Sequence, residues 1–382
     1  MTGMDEERNG LASTPKHRPE IIAIYLSTLF NGGVERVMFN LATSFLERGI
    51  EVDIVLDKLS YSPFKEHLPP GANLVVLGAH SIVQRIPRLC GYLRRRRPTA
   101  MLSANHFANE LAIIARGMAG VNTKIIVSEH TSLSTELARL SWKSPRRLIP
   151  RIMRAAYRRA DAVVAVSKGV AGDVVNLTHL RDGSVTVIYN PIDFAMVRRE
   201  ALTPVDHPWF LPGAPDVILA IGRLEEQKNF GLLLDAFALV RQQREVRLLI
   251  LGEGSQRSQL EARILDMGLA DTVQLPGFLA NPFAYLDRAR VLAMSSLWEG
   301  FGLVLIEALS LKTPVVATDC PSGPDEALSG GAYGELVPMN DPPALARALM
   351  KVLGGDAKSA PDEWLRQFEP GYVADKYLAL LS

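Results

Sequence analysis

Short, strongly apolar runs alternate with stretches of helical period along most of the chain. Ile21–Leu26 is a β-favouring run, and Val34, Val37, Met38, Leu41 and Phe45 follow at helical spacing until Gly49. Val52–Leu56 then opens a second strand, which makes a β-loop-α-β unit. Thr99–Ala104, Lys124–Ser128, Ala162–Ser167 and Val185–Tyr189 continue the series of predicted strands. Asn190-Pro191 breaks it, and a polar stretch with Pro204, Pro208, Pro212 and Pro215 reads as an interdomain linker. The pattern then restarts. Val217–Ile221, Leu248–Leu251, Val273–Leu275, Val291–Met294 and Pro314–Thr318 are predicted strands, with a helical stripe at Leu232, Leu233, Ala236, Phe237 and Val240. The expectation is two doubly wound α/β domains in tandem, facing a cleft. Residues 1–19 read as a disordered tail, 20–195 as the first domain and 196–215 as the linker. Residues 216–368 form the second domain, and 369–382 a helix that returns to the first.

Composition narrows the function classes. At 382 residues the chain exceeds one ordinary domain. A net charge of +1 provides no global field for nucleic acid. The two cysteines, Cys90 and Cys320, give neither a disulfide framework nor a metal-binding spacing. No apolar run approaches the ~18 residues that cross a bilayer. A cytoplasmic protein is expected, without a signal peptide.

The chemistry concentrates in the second half. Glu299 and Glu307 lie eight positions apart in SSLWEGFGLVLIEAL, and Glu307 sits in an otherwise apolar helix. A buried carboxylate needs partners. An arginine or a helix edge would serve, and so would a ligand. Gly300 and Gly302 let backbone approach a ligand closely. The amides of Phe301, Gly302, Leu303 and Val304 then lie at a helix N-terminus, suited to polar or anionic groups. Two carboxylates beside free amides suit a polyhydroxylated ligand. Arg223 leaves a strand end in GRLEEQK and Lys228 follows five residues later, a pairing that fits a diphosphate. Two solvated surface cations would look the same in sequence. Gly32-Gly33 occupies the matching loop of the first domain, where a flexible backbone can cover a phosphate. It is not a G-x-G-x-x-G fingerprint. His130 follows a strand end on the cleft side, as His106 does, and either residue could be structural. No Asp-x-Asp occurs, so no metal is expected at the diphosphate.

These motifs, with IGRLEEQKNF, NGGVERV, EHTS, VIYNPID and CPSGPDEAL, resemble the family 4 retaining glycosyltransferases, from about Ile21 to the end and in the family's order. The resemblance implies the GT-B fold and a nucleotide-diphosphate sugar as donor substrate, with no cofactor. Arg223 and Lys228 would bind the donor diphosphate. Glu299 and the amides of Phe301, Gly302 and Leu303 would hold the donor sugar. Glu307 would take the ribose hydroxyls, the Gly32-Gly33 loop would close on the diphosphate, and His130 would be the active-site histidine. Tyr189 stands where a small residue or Pro is more usual. The family's favoured front-face mechanism has the leaving phosphate help deprotonate the acceptor. A glycan or lipid-linked acceptor in bacterial surface-polysaccharide assembly is the expected setting. Two other functions would use the same scaffold: a nucleotide-sugar epimerase and a catalytically inactive glycan-binding protein.

A last feature lies outside the motifs. Between Arg139 and Arg159 there are eight basic residues and no acidic one. Arg151, Arg154 and Arg158 fall on one helical stripe, with Ile152, Met153, Ala156 and Ala160 expected on the opposite, buried face. Arg94–Arg97 could extend the patch. The stripe suits an anionic membrane surface, or is only a solvated face.

Overall fold

The computed structural model of the protein describes residues 20–29, 32–59, 68–139 and 144–381. The expected tail 1–19, Asn31 of the glycine loop and Lys143 of the basic run lie outside these residues. Among the described residues, the first parallel sheet has seven strands: β1 (Ile21–Leu26), β2 (Glu51–Leu56), β3 (Asn73–Val76), β4 (Ala100–Ala104), β5 (Lys124–Glu129), β6 (Ala162–Ala165) and β7 (Val185–Val187). The second has six: β8 (Asp216–Ile221), β9 (Val246–Leu251), β10 (Val273–Gly277), β11 (Val291–Met294), β12 (Val315–Thr318) and β13 (Glu335–Val337). Their orders are β3-β2-β1-β4-β5-β6-β7 and β10-β9-β8-β11-β12-β13. Both reverse direction next to their first strand, between β1 and β4 and between β8 and β11. Helices cover both faces, so the central strands can be apolar throughout, as β1 is.

The helices of the first half are α1 (Gly33–Glu47), α2 (Ile82–Arg96), α3 (His106–Ala119), α4 (Leu133–Ala138), α5 (Ile149–Tyr157), α6 (Lys168–Thr178) and α7 (Phe194–Ala201). Those of the second are α8 (Phe230–Arg241), α9 (Arg257–Asp266), α10 (Phe283–Arg288), α11 (Leu303–Ser310), α12 (Pro324–Ala327), α13 (Pro342–Leu353) and α14 (Asp362–Leu365). The terminal helix α15 (Pro370–Ala379) packs against α1. Val373, Ala374 and Tyr377 join Val37, Met38 and Leu41 in one core, and Arg48 pairs with Asp375 at 2.7 Å.

The linker expectation needs correction. The boundary at 195/196 falls inside α7, which the Asp193 side chain caps by accepting from Met196 N at 2.9 Å. Phe194, Val197 and Ala201 are its buried side, at helical spacing. The prolines that suggested an extended linker begin only after this helix.

The basic patch is also smaller than the sequence suggests. Arg96 bonds Asp53 at 2.8 Å and pairs with Glu51; Asp53 is fully buried in β2 and also accepts from Tyr92 at 2.6 Å. A carboxylate without access to water requires such partners. Arg94 donates to the Met118 and Ala119 carbonyls at the end of α3. Arg95 and Arg97 of that quartet are exposed, without such ties among the described residues.

Candidate active site

The second sheet reverses between β8 and β11, where open α/β sheets leave a crevice for ligands. Arg223 leaves β8 there, and Glu299 leaves β11. Lys228 ends a short 3-10 turn after Arg223. Its stem folds across Gly222, where a Cβ would come within 3.0 Å of the lysine Cε. This brings Nζ to 2.5 Å from Glu299 Oε1, which also accepts from Ser296 Oγ at 2.6 Å. Glu299 is buried, as is the apolar helix that follows it. Arg223 is exposed, lies 3.5 Å from Gln227 Oε1, and its charge adds to the lowering of the Glu225 pKa. Of the two expected cations, one is held against the glutamate and the other is exposed at the end of β8.

Gly302 caps α11 in the left-handed region, with φ +82°, and no side chain caps the helix. Its first amides are therefore open to an incoming group. Glu307 sits one turn further in. Its carboxyl is buried, and burial raises its pKa while the Arg36 guanidinium, 2.7 Å away, lowers it. The sequence does not identify the protein partner of Glu307. The structure supplies it from α1 of the other domain.

Domain 1 closes over this site at several points. A Cβ on Gly33 would sit 3.1 Å from Leu303 Cδ1, so the glycine loop abuts the start of α11. Gly300 packs under the backbone carbonyl of His130, where a Cβ would fall 1.9 Å from the oxygen. Ser167 Oγ donates to the Gly300 carbonyl at 2.7 Å. Glu326 accepts from the amides of Lys168 and Gly169 at 2.9 and 3.0 Å, across the cleft at the start of α6. Arg139, counted above in the basic run, instead lies 4.3 Å over the Trp298 ring and pairs with Glu226. Arg36, Ser167 and Glu326 carried no functional reading in the sequence, although Arg36 and Glu326 lie inside quoted motifs.

His130 lies beside the Gly300 loop, and its Nε2 is 2.8 Å from Ser128 Oγ. Burial lowers its pKa to about 4, so the ring is neutral at neutral pH. A neutral ring can accept or donate a hydrogen bond without adding charge near a sugar. Below it, Glu129 is buried and accepts from Asn109 at 2.9 Å and from Tyr157; burial pushes its pKa to about 7. His106 starts α3 at the end of β4, partly buried, and burial lowers its pKa as well.

Among the described residues no group of three or more His, Cys, Asp or Glu side chains could hold a metal ion. The cleft offers an exposed cation, a lysine bound to a carboxylate, open amides and a buried carboxyl. That set suits a diphosphate carrying hydroxyl-rich groups on both sides.

Comparison with known proteins gives a consistent answer. A sequence profile described as "Glycosyltransferase Family 4" matches residues 31–195, and one described as "Glycosyl transferases group 1" matches residues 206–363. The chain is 30% identical over 346 residues to the N-acetylgalactosamine-N,N'-diacetylbacillosaminyl-diphospho-undecaprenol 4-alpha-N-acetylgalactosaminyltransferase of Campylobacter jejuni, covering 88% of this chain and 90% of that protein. It is 23% identical to the lipopolysaccharide 1,6-galactosyltransferase of Escherichia coli, over 85% of this chain and 86% of that one. The crystal structure of Anabaena HepE in complex with UDP superposes with a TM-score of 0.77 at 20% identity, covering 95% of this chain and 99% of that one.

Proposed function

Because this chain belongs to glycosyltransferase family 4, with two Rossmann-like domains in the GT-B arrangement, we propose that it moves a sugar from a nucleoside diphosphate carrier on domain 2 to an acceptor on domain 1, with retention. The observation that carries the residue assignments is the meeting of Arg223, Lys228, Glu299 and the uncapped start of α11 at the β8/β11 crevice. Arg223 and Lys228 take the diphosphate. As the glycosidic bond breaks, negative charge grows on the leaving phosphate, and these cations and the α11 amides are already placed to stabilise it. Glu299 and the amides of Phe301, Gly302 and Leu303 orient the donor sugar, while the Gly32-Gly33 loop covers the diphosphate. His130 borders the transferred sugar as a neutral hydrogen-bonding group. Protein charge alone balances the diphosphate, without a metal ion or other cofactor. The named functions of the Campylobacter and Escherichia relatives favour a lipid-linked or lipopolysaccharide acceptor, in bacterial surface-polysaccharide assembly.

Incubation with a panel of nucleotide sugars and lipid-linked acceptors tests the transfer. Free nucleoside diphosphate should appear only when donor and acceptor are both present. Epimerised donor without acceptor, or donor binding without turnover on any acceptor, would refute transfer.

The two glutamates should separate by calorimetry. Glu307→Gln should weaken intact donor and free nucleoside diphosphate alike, by about 1–3 kcal/mol for a charged hydrogen-bond partner. Glu299→Gln should weaken intact donor more than the free diphosphate. Equal losses for both ligands in both variants would contradict this division of roles.

The α5 surface supports docking on an anionic membrane at the cytoplasmic face. Arg151, Arg154 and Arg158 are exposed, with no side-chain hydrogen bond or ion pair among the described residues. Ile152, expected on the buried side, is 47% exposed, as Leu148 is at 49%. The buried arc centres on Met153, Ala156 and Tyr157, and Ile152 sits at its edge. Exposed aliphatic groups beside free arginines suit the headgroup boundary of a bilayer, where each basic residue contributes ~1 kcal/mol. No described helix is long and apolar enough to cross a membrane. Binding to anionic liposomes should weaken with salt and drop when Arg151, Arg154 and Arg158 become Glu. Indifference to anionic liposomes at low salt would refute docking.

A further inference from the structure

We infer that Arg36 is a positioning residue of the donor site, reaching from α1 of domain 1 to orient the Glu307 carboxylate of domain 2 for the donor ribose. This rests on the reading of Glu307 as a ribose-binding residue. The pair spans 271 residues of sequence and closes at 2.7 Å between Arg36 Nη1 and Glu307 Oε1. Glu307 Oε2 takes no hydrogen bond from the described residues. A carboxylate held by one oxygen presents the other in a fixed direction. A ribose hydroxyl gains most from an acceptor that is already aimed and charged.

Two further features make the contact more than a surface ion pair. The guanidinium lies 5.6 Å from the centroid of Phe283 on α10, which restricts its swing. Glu307 is nine-tenths buried, whereas Arg36 keeps about a third of its side chain exposed. The carboxylate therefore depends on the arginine for its charge more than the reverse. Removal of Arg36 leaves burial unopposed, and the carboxyl then holds its proton to higher pH.

The other charged groups on the elements around α11 are committed or face solvent; on α1, Glu35 beside Arg36 is buried and partnered and Glu47 is exposed. Asp193, which lines the same small cavity, caps α7 through Met196 N. On α7, Arg198 is exposed and Arg199 pairs with Glu200. On α10, Arg288 donates to the Ala201 and Ala284 carbonyls, and Asp287 is exposed. On α12, Glu326 bonds the amides of α6 and Asp325 is exposed. On α14, Asp362 pairs with Lys312 and Glu363 is exposed. Arg36 is thus the cation that opposes the effect of burial on the Glu307 carboxyl.

The pair also joins the two domains, so the oriented carboxylate exists only when the cleft is closed. Donor affinity and closure become one equilibrium. The consequence should appear in donor KM rather than in kcat at saturating donor.

Arg36→Met, Arg36→Lys, Glu307→Gln and the double variant Arg36→Met/Glu307→Gln test this in steady-state kinetics across pH. Arg36→Met should raise donor KM by about tenfold, with kcat within about threefold. Its KM should also rise at a higher pH than in the parent as pH falls, because the carboxyl now protonates earlier. Arg36→Lys should recover much of the loss, and Arg36→Met should add little to Glu307→Gln. Unchanged KM and pH profile in Arg36→Met, while Glu307→Gln raises KM, would overturn the inference and leave the donor reading intact. Independent, additive losses in the double variant would overturn it as well, since Arg36 would then act elsewhere. No effect of Glu307→Gln on nucleoside diphosphate binding would overturn the ribose reading itself, and the inference with it.

Discussion

Gly300→Ala lowers kcat by about 10²-fold while the protein stays folded. An alanine Cβ at this position would fall 1.9 Å from the His130 carbonyl oxygen and 2.7 Å from its carbon. No rotamer relieves a clash between two backbones, so either the loop shifts or the domains part. The loop carries Glu299 on one side and the Phe301–Leu303 amides on the other. A misplacement near 1 Å in a positioning element costs about 10² in rate. Ser167, which donates to the Gly300 carbonyl, would lose its partner in the same movement. Free nucleoside diphosphate should bind more weakly as well, because Glu299 on this loop holds Lys228. Parental kcat in a folded Gly300→Ala enzyme would show that this close approach is not part of the active geometry.

Lys228→Ala and Arg223→Ala each lower kcat by about 10²-fold or more under saturating donor, by analogy with the loss of one preorganised charge-stabilising donor. Their stability should differ. Arg223 is exposed and lies 3.5 Å from Gln227 Oε1, so its removal should leave Tm near the parent value. Lys228 neutralises the buried Glu299, and its removal leaves that carboxylate with Ser296 as its remaining recorded hydrogen-bond partner. A buried charge stripped of its counter-ion is strongly destabilising, so Tm should fall by several degrees. Near-parental turnover in either variant would remove that residue from the diphosphate site. A Tm loss in Arg223→Ala equal to that in Lys228→Ala would contradict their different environments.

The edge strands leave a weak mark in the sequence for a physical reason. The edge strands β3 (Asn73–Val76) and β13 (Glu335–Val337) have four and three residues and are only partly covered. Such strands lack the continuous apolar run that marked β1 or β11. Helix α7 did carry its signal, in Asp193 and the spacing of Phe194, Val197 and Ala201, but the prolines after it dominated the reading. The basic run misled in another way. Charge can be counted in sequence, yet Arg96 and Arg139 are spent on partners that no local pattern reveals.

The sequence by itself determined the alternation of strands and helices, the two-domain α/β class and the local arrangement of the two glutamates and two glycines, because each depends on residues close along the chain. Glu299, Gly300, Gly302 and Glu307 lie within one loop and one helix, so local backbone geometry already places them on one surface. Only the tertiary structure decided that Arg36 holds Glu307, that Glu326 caps α6 and that His130 rests on Gly300. These pairs lie 271, 158 and 170 positions apart. Each depends on how one sheet faces the other across the cleft. That orientation is set by packing between domains and by the return of α15 to α1, which no periodicity within either half encodes.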